Sequence, residues 1–238
     1  MIEQLYECFK HWSKKGSVWV YSDPHFNDKE AAGYGRISDE EQLKLINSKV
    51  GKNDTIVILG DVGDIEFARR IKGYKVLICG NHDLGASNYK REIKYFKFDK
   101  DKNSKDSVIK WAKETYPECA VEVGEAYEFR APFYWAVKID NKLFDEVYTG
   151  PLFIGEKLLL SHEPINFLFA LNLHGHCHKG QSDSHHINCC SNIVNYTPVN
   201  LKEICQSGLL KNIDSLHRTT IDDATKRKKK REEKRAKT

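Results

Sequence analysis

Apolar residues recur at spacings of three and four from the start of the chain: Ile2, Leu5, Cys8, Phe9 and Trp12. This spacing predicts an amphipathic helix over 2–14, stopped by Gly16. The pattern then shortens. Val18-Trp19-Val20-Tyr21 is an apolar run that breaks into Ser22-Asp23-Pro24-His25, a strand entering a loop. Residues 26–37 are Gly-rich and polar. Ser38 and Glu41 form a capping box that opens a helix to about Ser48. A strand over Thr55–Leu59 ends in Gly60-Asp61, and a short helix follows over about 65–71. A strand over Lys75–Cys79 ends in Gly80-Asn81-His82-Asp83. Strand, loop and helix alternate, which predicts an α/β fold with a largely buried sheet. Ligands of such sheets bind at the carboxyl ends of strands, where this chain places Asp, His and Asn.

Residues 86–141 interrupt the alternation. A charged stretch, Asp99 to Asp106, leads into a helix over 107–115 stopped by Pro117, then an aromatic patch of Tyr127, Phe129, Phe133, Tyr134 and Trp135. The segment reads as an insertion: either a surface subdomain with its own small core or a wall over the site. Short strands follow near 143–149, 152–154 and 157–161, the last ending in Ser161-His162-Glu163-Pro164. Leu171–Leu173 then runs into His174-Gly175-His176-Cys177-His178. The domain reading is one domain over 1–225, carrying the insertion at about 86–141, and a basic, flexible tail over 226–238.

Composition narrows the classes. The 238 residues are 40% hydrophobic and 30% charged, and no apolar run approaches the ~20 residues of a spanning helix. No membrane association is expected. The charged N-terminal pattern does not resemble a secretory signal, and seven cysteines with no Cys-x-x-Cys suit a reducing, cytoplasmic setting. The net charge of +4 hides an asymmetry. Residues 226–238 hold nine Lys or Arg and two Glu, a local +7, so the other 225 carry −3 (+4 less +7). Such a cluster could serve nucleic acid by counterion release. It lacks interleaved aromatics for base stacking, and a solvated, partly helical lysine-rich end is the favoured reading.

Five polar motifs stand at strand ends: Asp23-Pro24-His25, Gly60-Asp61-Val62-Gly63-Asp64, Gly80-Asn81-His82-Asp83, Ser161-His162-Glu163 and Gly175-His176-Cys177-His178. Carboxylate, imidazole and carboxamide together suit Mn, Fe, Zn or Co better than Ca. In an extended backbone, residues two apart point the same way. His176 and His178 could then reach the same cluster, with Cys177 turned away, and Asp23 and His25 could do likewise.

The combined set resembles the calcineurin-like metallophosphoesterase superfamily over most of residues 17–200, the insertion excepted. The closer likeness is to small single-domain bacterial or phage phosphoesterases, whose closing segment Asn195–Leu201 also resembles. The resemblance implies a four-layer αββα sandwich of the α/β (α+β) class. It implies two divalent metal ions, Mn or Fe foremost, with Zn, Co and Ni as alternatives. Asp23, His25 and His178 would hold one ion, Asn81, His162 and His176 the other, and Asp61 would bridge them. His82 would be the catalytic acid and Asp83 would orient its ring. The expected reaction is hydrolysis of a phosphoester substrate by a metal-bound hydroxide. Two cations, two aspartates and one hydroxide leave roughly +1, matched to a monoanionic diester more than to a dianionic monoester.

Two departures tilt away from the protein Ser/Thr phosphatases of the superfamily. Asp64 is followed by Ile65 and Glu66 where those enzymes carry a phosphate-gripping Arg, and His82-Asp83 stands where they have His-Glu. Arg36 is the candidate substrate-binding cation, against an ion-paired surface reading. Asp64 is either a group supporting a metal ligand or a helix N-terminal Asp. Cys189 and Cys190 read as buried small hydrophobes and His174 as structural. The leading expectation is a phosphodiesterase or broad phosphatase. The alternatives are a nucleic-acid-processing phosphoesterase using the basic tail, and a non-catalytic metal-binding scaffold.

Overall fold

The structure, a computed structural model, describes residues 1–29, 36–83, 89, 92–117, 119–125 and 133–235. Tyr127 and Phe129 of the aromatic patch, part of the polar stretch 26–37 and the last three residues lie outside these. The fold is mixed α/β, with parallel and antiparallel pairing.

The chain forms two compact units, Met1–Gly85 with Glu146–Thr238, and Ala86–Asp145. In the first unit, β1 (Val18–Tyr21), β2 (Thr55–Ile58) and β3 (Tyr74–Ile78) run parallel and in step. Tyr21 pairs with Ile58 and Ile58 with Leu77, so the three following loops leave at one level. The α1 helix (Asp39–Lys49) connects β1 to β2, and α2 (Ile65–Arg69) connects β2 to β3. Ser38 caps α1 by accepting from the Glu41 N–H, as the capping box predicts.

Glu92–Asp99 (β4), Lys105–Thr115 (α3), Ala120–Glu125 (β5) and Tyr134–Asn141 (β6) belong to the second unit. Its antiparallel sheet, in order β4-β6-β5, packs with α3 around Val108, Ala112, Val137 and Ile139. The unit ends at Asp145, four residues beyond the limit read from the sequence.

Back in the first unit, β7 (Glu146–Tyr148) extends the first sheet beside β3. Leu152–Gly155 (β8), Leu158–Leu160 (β9), Leu171–His174 (β10) and His186–Asn188 (β11) form a second sheet in the order β11-β10-β9-β8. Val199–Asn200 (β12) returns to pair antiparallel with β1. One core fills the space between these sheets. Val18, Val20, Val57, Leu59, Val76 and Ile78 of the first meet Leu158, Leu160, Leu171, Leu173 and Cys189 of the second. The alternate residues Ile56, Ile58 and Leu77 are also buried, so the central strands have no solvent face. Two further helices follow, α4 (Leu201–Gln206) and α5 (Leu216–Arg235).

The expected N-terminal helix is a single 3₁₀ stretch, Glu7–Ser13. Tyr6 stays extended because its N–H donates to Ile154 O, anchoring the segment to β8. In 3₁₀ geometry residues three apart eclipse. Phe9 and Trp12 therefore bury together, while Cys8, expected on the same face, is exposed. The basic tail continues α5 and is helical through Arg235. No helix among the described residues is long and apolar enough to cross a membrane.

Candidate metal centre

The two sheets of the first unit join at their carboxyl ends. Ser22 N–H donates to Cys189 O, and Ser191 N–H returns to Ser22 O, both 2.9 Å. The polar motifs from both sheets converge at this seam.

Two groups of ligand atoms form there: Asp23, His25 and His178, and Asp61, His162 and His176. In the first, His25 Nε2 and His178 Nε2 lie 3.8 and 3.6 Å from Asp23 Oδ1. In the second, His162 Nε2 is 3.3 Å from Asp61 Oδ2, 2.9 Å from Asn81 Oδ1 and 3.2 Å from His176 Nδ1. Asp61 Oδ2 is also 3.6 Å from His25 Nε2, so one oxygen reaches both groups. Ligands held about 2.1 Å from one ion sit roughly 3–3.5 Å apart, which is the spacing of the second group. The donor chemistry fits a divalent cation at each.

The backbone is bent to make this possible. Asp23, His25, Asp61 and His176 all have left-handed φ angles, 53°, 44°, 53° and 64°. Such conformations in non-glycine residues cost about 1–3 kcal/mol each and persist where the surroundings dictate them. Here they correct the sequence reading. Asp23 and His25 converge through left-handed turns and not through an extended strand. The turns are fixed by Asp23 N–H to Gly60 O and His25 N–H to Asp61 O. Gly175 is required by proximity: a Cβ there would overlap Ser22 Oγ and Asp23 Oδ2. Gly60 has φ 93°, and a Cβ would meet the Gly80 backbone.

Three imidazoles are fixed in tautomer from behind. His162 Nδ1 donates to Leu59 O (2.7 Å), His25 Nδ1 to Asp28 Oδ2 (2.9 Å) and His178 Nδ1 to Asn192 Oδ1 (3.0 Å). A neutral ring that donates from Nδ1 keeps the Nε2 lone pair for the site. Asn192 also donates from Nδ2 to His178 O (2.7 Å). Asp28 and Asn192 carry no motif signal, apart from the three-residue step from His25 to Asp28.

No family model matches this chain, and no curated protein matches it. Among solved structures, it is similar to the crystal structure of a protein of unknown function, AQ665, from Aquifex aeolicus. The two are 18% identical, the match covers 80% of this chain and 98% of the other, and the TM-score is 0.48.

The charges in the cluster oppose and reinforce one another. Burial alone would depress the His162 pKa, but the hydrogen bond to Asp61 and the charges of Asp23 and Asp61 outweigh it and raise it to about 9. Burial would raise Asp61, yet His162, the His82 N–H and His25 hold its carboxyl below the usual range. A cation entering this group therefore competes with a tightly held proton.

The remaining expected site residues are placed as follows. His82 lies at the rim, its side chain 59% exposed, with Nε2 4.0 Å from Asp61 Oδ2 and its N–H donating to Asp61 Oδ1. Asp83 does not orient the His82 ring. Its buried carboxylate accepts instead from the N–H groups of Asp61 (2.7 Å), Gly80 (2.9 Å) and Val62 (3.1 Å), tying the second motif to the third. Burial pushes its pKa up despite these donors. Arg36 is not free to grip a substrate. Its guanidinium is divided among the Asp39 carboxylate, Pro24 O and Asp28 O, bracing the Asp23–His25 turn against α1. Asp64 caps α2 by accepting from Glu66 N–H, and accepts from Asn27 Nδ2. His174 is buried outside both groups, its Nδ1 donating to Gly175 O. Cys190 is more than a packed hydrophobe: its buried Sγ donates to Asp23 Oδ2 at 3.3 Å.

Proposed function

We propose that the chain is a metal-dependent phosphoester hydrolase of the calcineurin-like metallophosphoesterase kind. The two packed sheets would then be the inner layers of its four-layer αββα sandwich. The observation that carries this reading is the pair of Asp/His groups sharing Asp61 Oδ2 at the joined carboxyl ends of two sheets.

Asp23, His25 and His178 would hold one divalent cation, and Asn81, His162 and His176 the other, with Asp61 between them. Bound there, such a pair supplies Lewis-acid charge to a phosphoryl oxygen and acidifies a water toward neutral pKa. His82, with Nε2 4.0 Å from Asp61 Oδ2 at the exposed rim, would be the group that gives a proton to a departing ester oxygen. Asp83 positions the loop carrying His82 by fixing Gly80 and Asp61, and Arg36 positions the turn carrying Asp23 and His25.

Diesters fit best. A cavity of about 210 Å³ opens beside Asn81 and His162, walled by Cys79, Thr149 and Glu163. Among the described residues no lysine or arginine lines it, and Glu163 does, so it suits an uncharged ester arm more than a second anionic group. Among the same residues the nearby cation Arg36 is already engaged by Asp39, Pro24 and Asp28.

The test compares bis(p-nitrophenyl) phosphate with p-nitrophenyl phosphate at equal concentration, with added Mn²⁺ and with chelator. Faster, Mn²⁺-dependent diester cleavage is expected. Full activity after chelation would sink the proposal. His82→Ala should lower the rate by about 10²–10⁴-fold while bound Mn²⁺, measured by elemental analysis, stays unchanged.

A further inference from the structure

The helix α5 runs unbroken from Leu216 to Arg235. Among the described residues its anchoring contacts lie at its start. Buried Ser215 donates its Oγ to Glu156 and accepts from the Arg218 N–H. From Ile221 to Glu233 every side chain is exposed. Six consecutive cations, Lys226 to Arg231, occupy this exposed part.

Six residues make more than one and a half turns at about 3.6 per turn, so the positive charge encircles the helix. From Asp222 onward the only apolar side chains are Ala224 and Ala236. An interfacial membrane helix needs an apolar face, and a helix bound in a protein groove needs apolar anchors three and four apart. This segment has neither. With no aromatics, it offers no stacking platform for single strands.

Charge spacing points to one partner. At about 1.5 Å rise per residue the block carries one positive charge per ~1.5 Å, close to the ~1.7 Å per negative charge of duplex DNA. A helix cationic all round suits a channel with phosphates on both sides. The B-form major groove is wide enough for a helix, whereas the A-form RNA major groove is too deep and narrow. Acidic residues four apart from the block, Asp222 and Asp223 before it and Glu232 and Glu233 after it, support the helix at its two ends, while Lys226/Lys230 and Arg227/Arg231 leave its middle purely cationic.

We propose that α5 is a sequence-independent docking arm for double-stranded DNA, lying in the major groove with Lys226–Arg231 facing both phosphate walls. This inference stands apart from hydrolysis and does not require it.

Fluorescence anisotropy with a labelled 20-base-pair DNA duplex and the full chain tests it. Six phosphate contacts give a slope of about −5 in log K against log salt, or about 10³-fold weaker binding between 50 and 200 mM salt. Replacing all six cations of 226–231 by Gln should weaken binding at least 30-fold, with the melting temperature unchanged. Any of three results would overturn the proposal: no duplex binding at 100 mM salt, equal binding by the Gln variant, or affinity for an RNA duplex or phosphatidylserine vesicles equal to or above that for DNA.

Discussion

Asp61 Oδ2 stands within 3.6 Å of His25 Nε2 and 3.3 Å of His162 Nε2, so removing its charge reaches both groups of ligands. Asp61→Asn should lower Mn²⁺ affinity by about 100-fold or more, read by titration of the metal-free protein. The proton on His162 sets a pH dependence. Its pKa near 9 means a cation must displace a proton at every lower pH. Mn²⁺ affinity should therefore climb about tenfold per pH unit between 6.5 and 8.5 and level near 9. Calorimetry in buffers of different ionisation enthalpy would read the released proton, and affinity flat across that range would contradict it. At this scale the residue types in the chain were informative: the seven proposed ligands were legible as motifs because Asp, His and Asn at strand ends have few structural reasons to be there. The supporting groups were not. Asp28, Asn192 and Cys190 act through single hydrogen bonds that no spacing rule encodes. Arg36 and Asp64 were legible as polar residues near the site, but which acceptor or donor each would take depended on α1 and α2 arriving beside them.

Elements owe their positions to contacts made far along the chain. Glu146, opening β7, accepts from His11 and Trp12 of the 3₁₀ stretch, Tyr74 of β3 and Tyr148 of its own strand. Burial would raise its pKa, but the bonds from His11, Tyr148, Trp12 and Tyr74 outweigh that and hold it below the ordinary 4.5. A carboxyl with a depressed folded pKa stabilises above its unfolded pKa, and loses that contribution as pH falls through the folded value. Glu146→Gln should cost about 2–3 kcal/mol at pH 7, in urea unfolding followed by fluorescence. The gap to the parent should close as pH falls below 4.5. Strands β1, β2 and β3 were legible to within a residue, because each is a short apolar run ended by polar residues. The N-terminal element was misread for the opposite reason. Its apolar spacing is helical, but the backbone bond from Tyr6 to Ile154 decides its geometry, and that partner lies outside any local window.

Among the described residues, each of the two units has an apolar core of its own. Val137 belongs wholly to the unit Ala86–Asp145. Val137→Ala should destabilise that unit by about 2 kcal/mol. Hydrogen exchange should quicken in β4–β6 while β1–β3 amides keep their rates. Exchange that quickens equally in both would mean one cooperative molecule. The first unit is itself assembled from distant parts. In it β1 pairs with β2 on one side and with β12 on the other, bringing Val20 beside Val199. During synthesis at about 5–20 residues per second, the edge of β1 would wait roughly 10–40 s for its neighbour. Through that interval a nascent chain would present an open strand to every other chain nearby. How well the protein is made in a cell is then decided less by the strength of its finished fold than by who shelters that edge, and slowing translation ahead of Val199 should raise the share lost to aggregates.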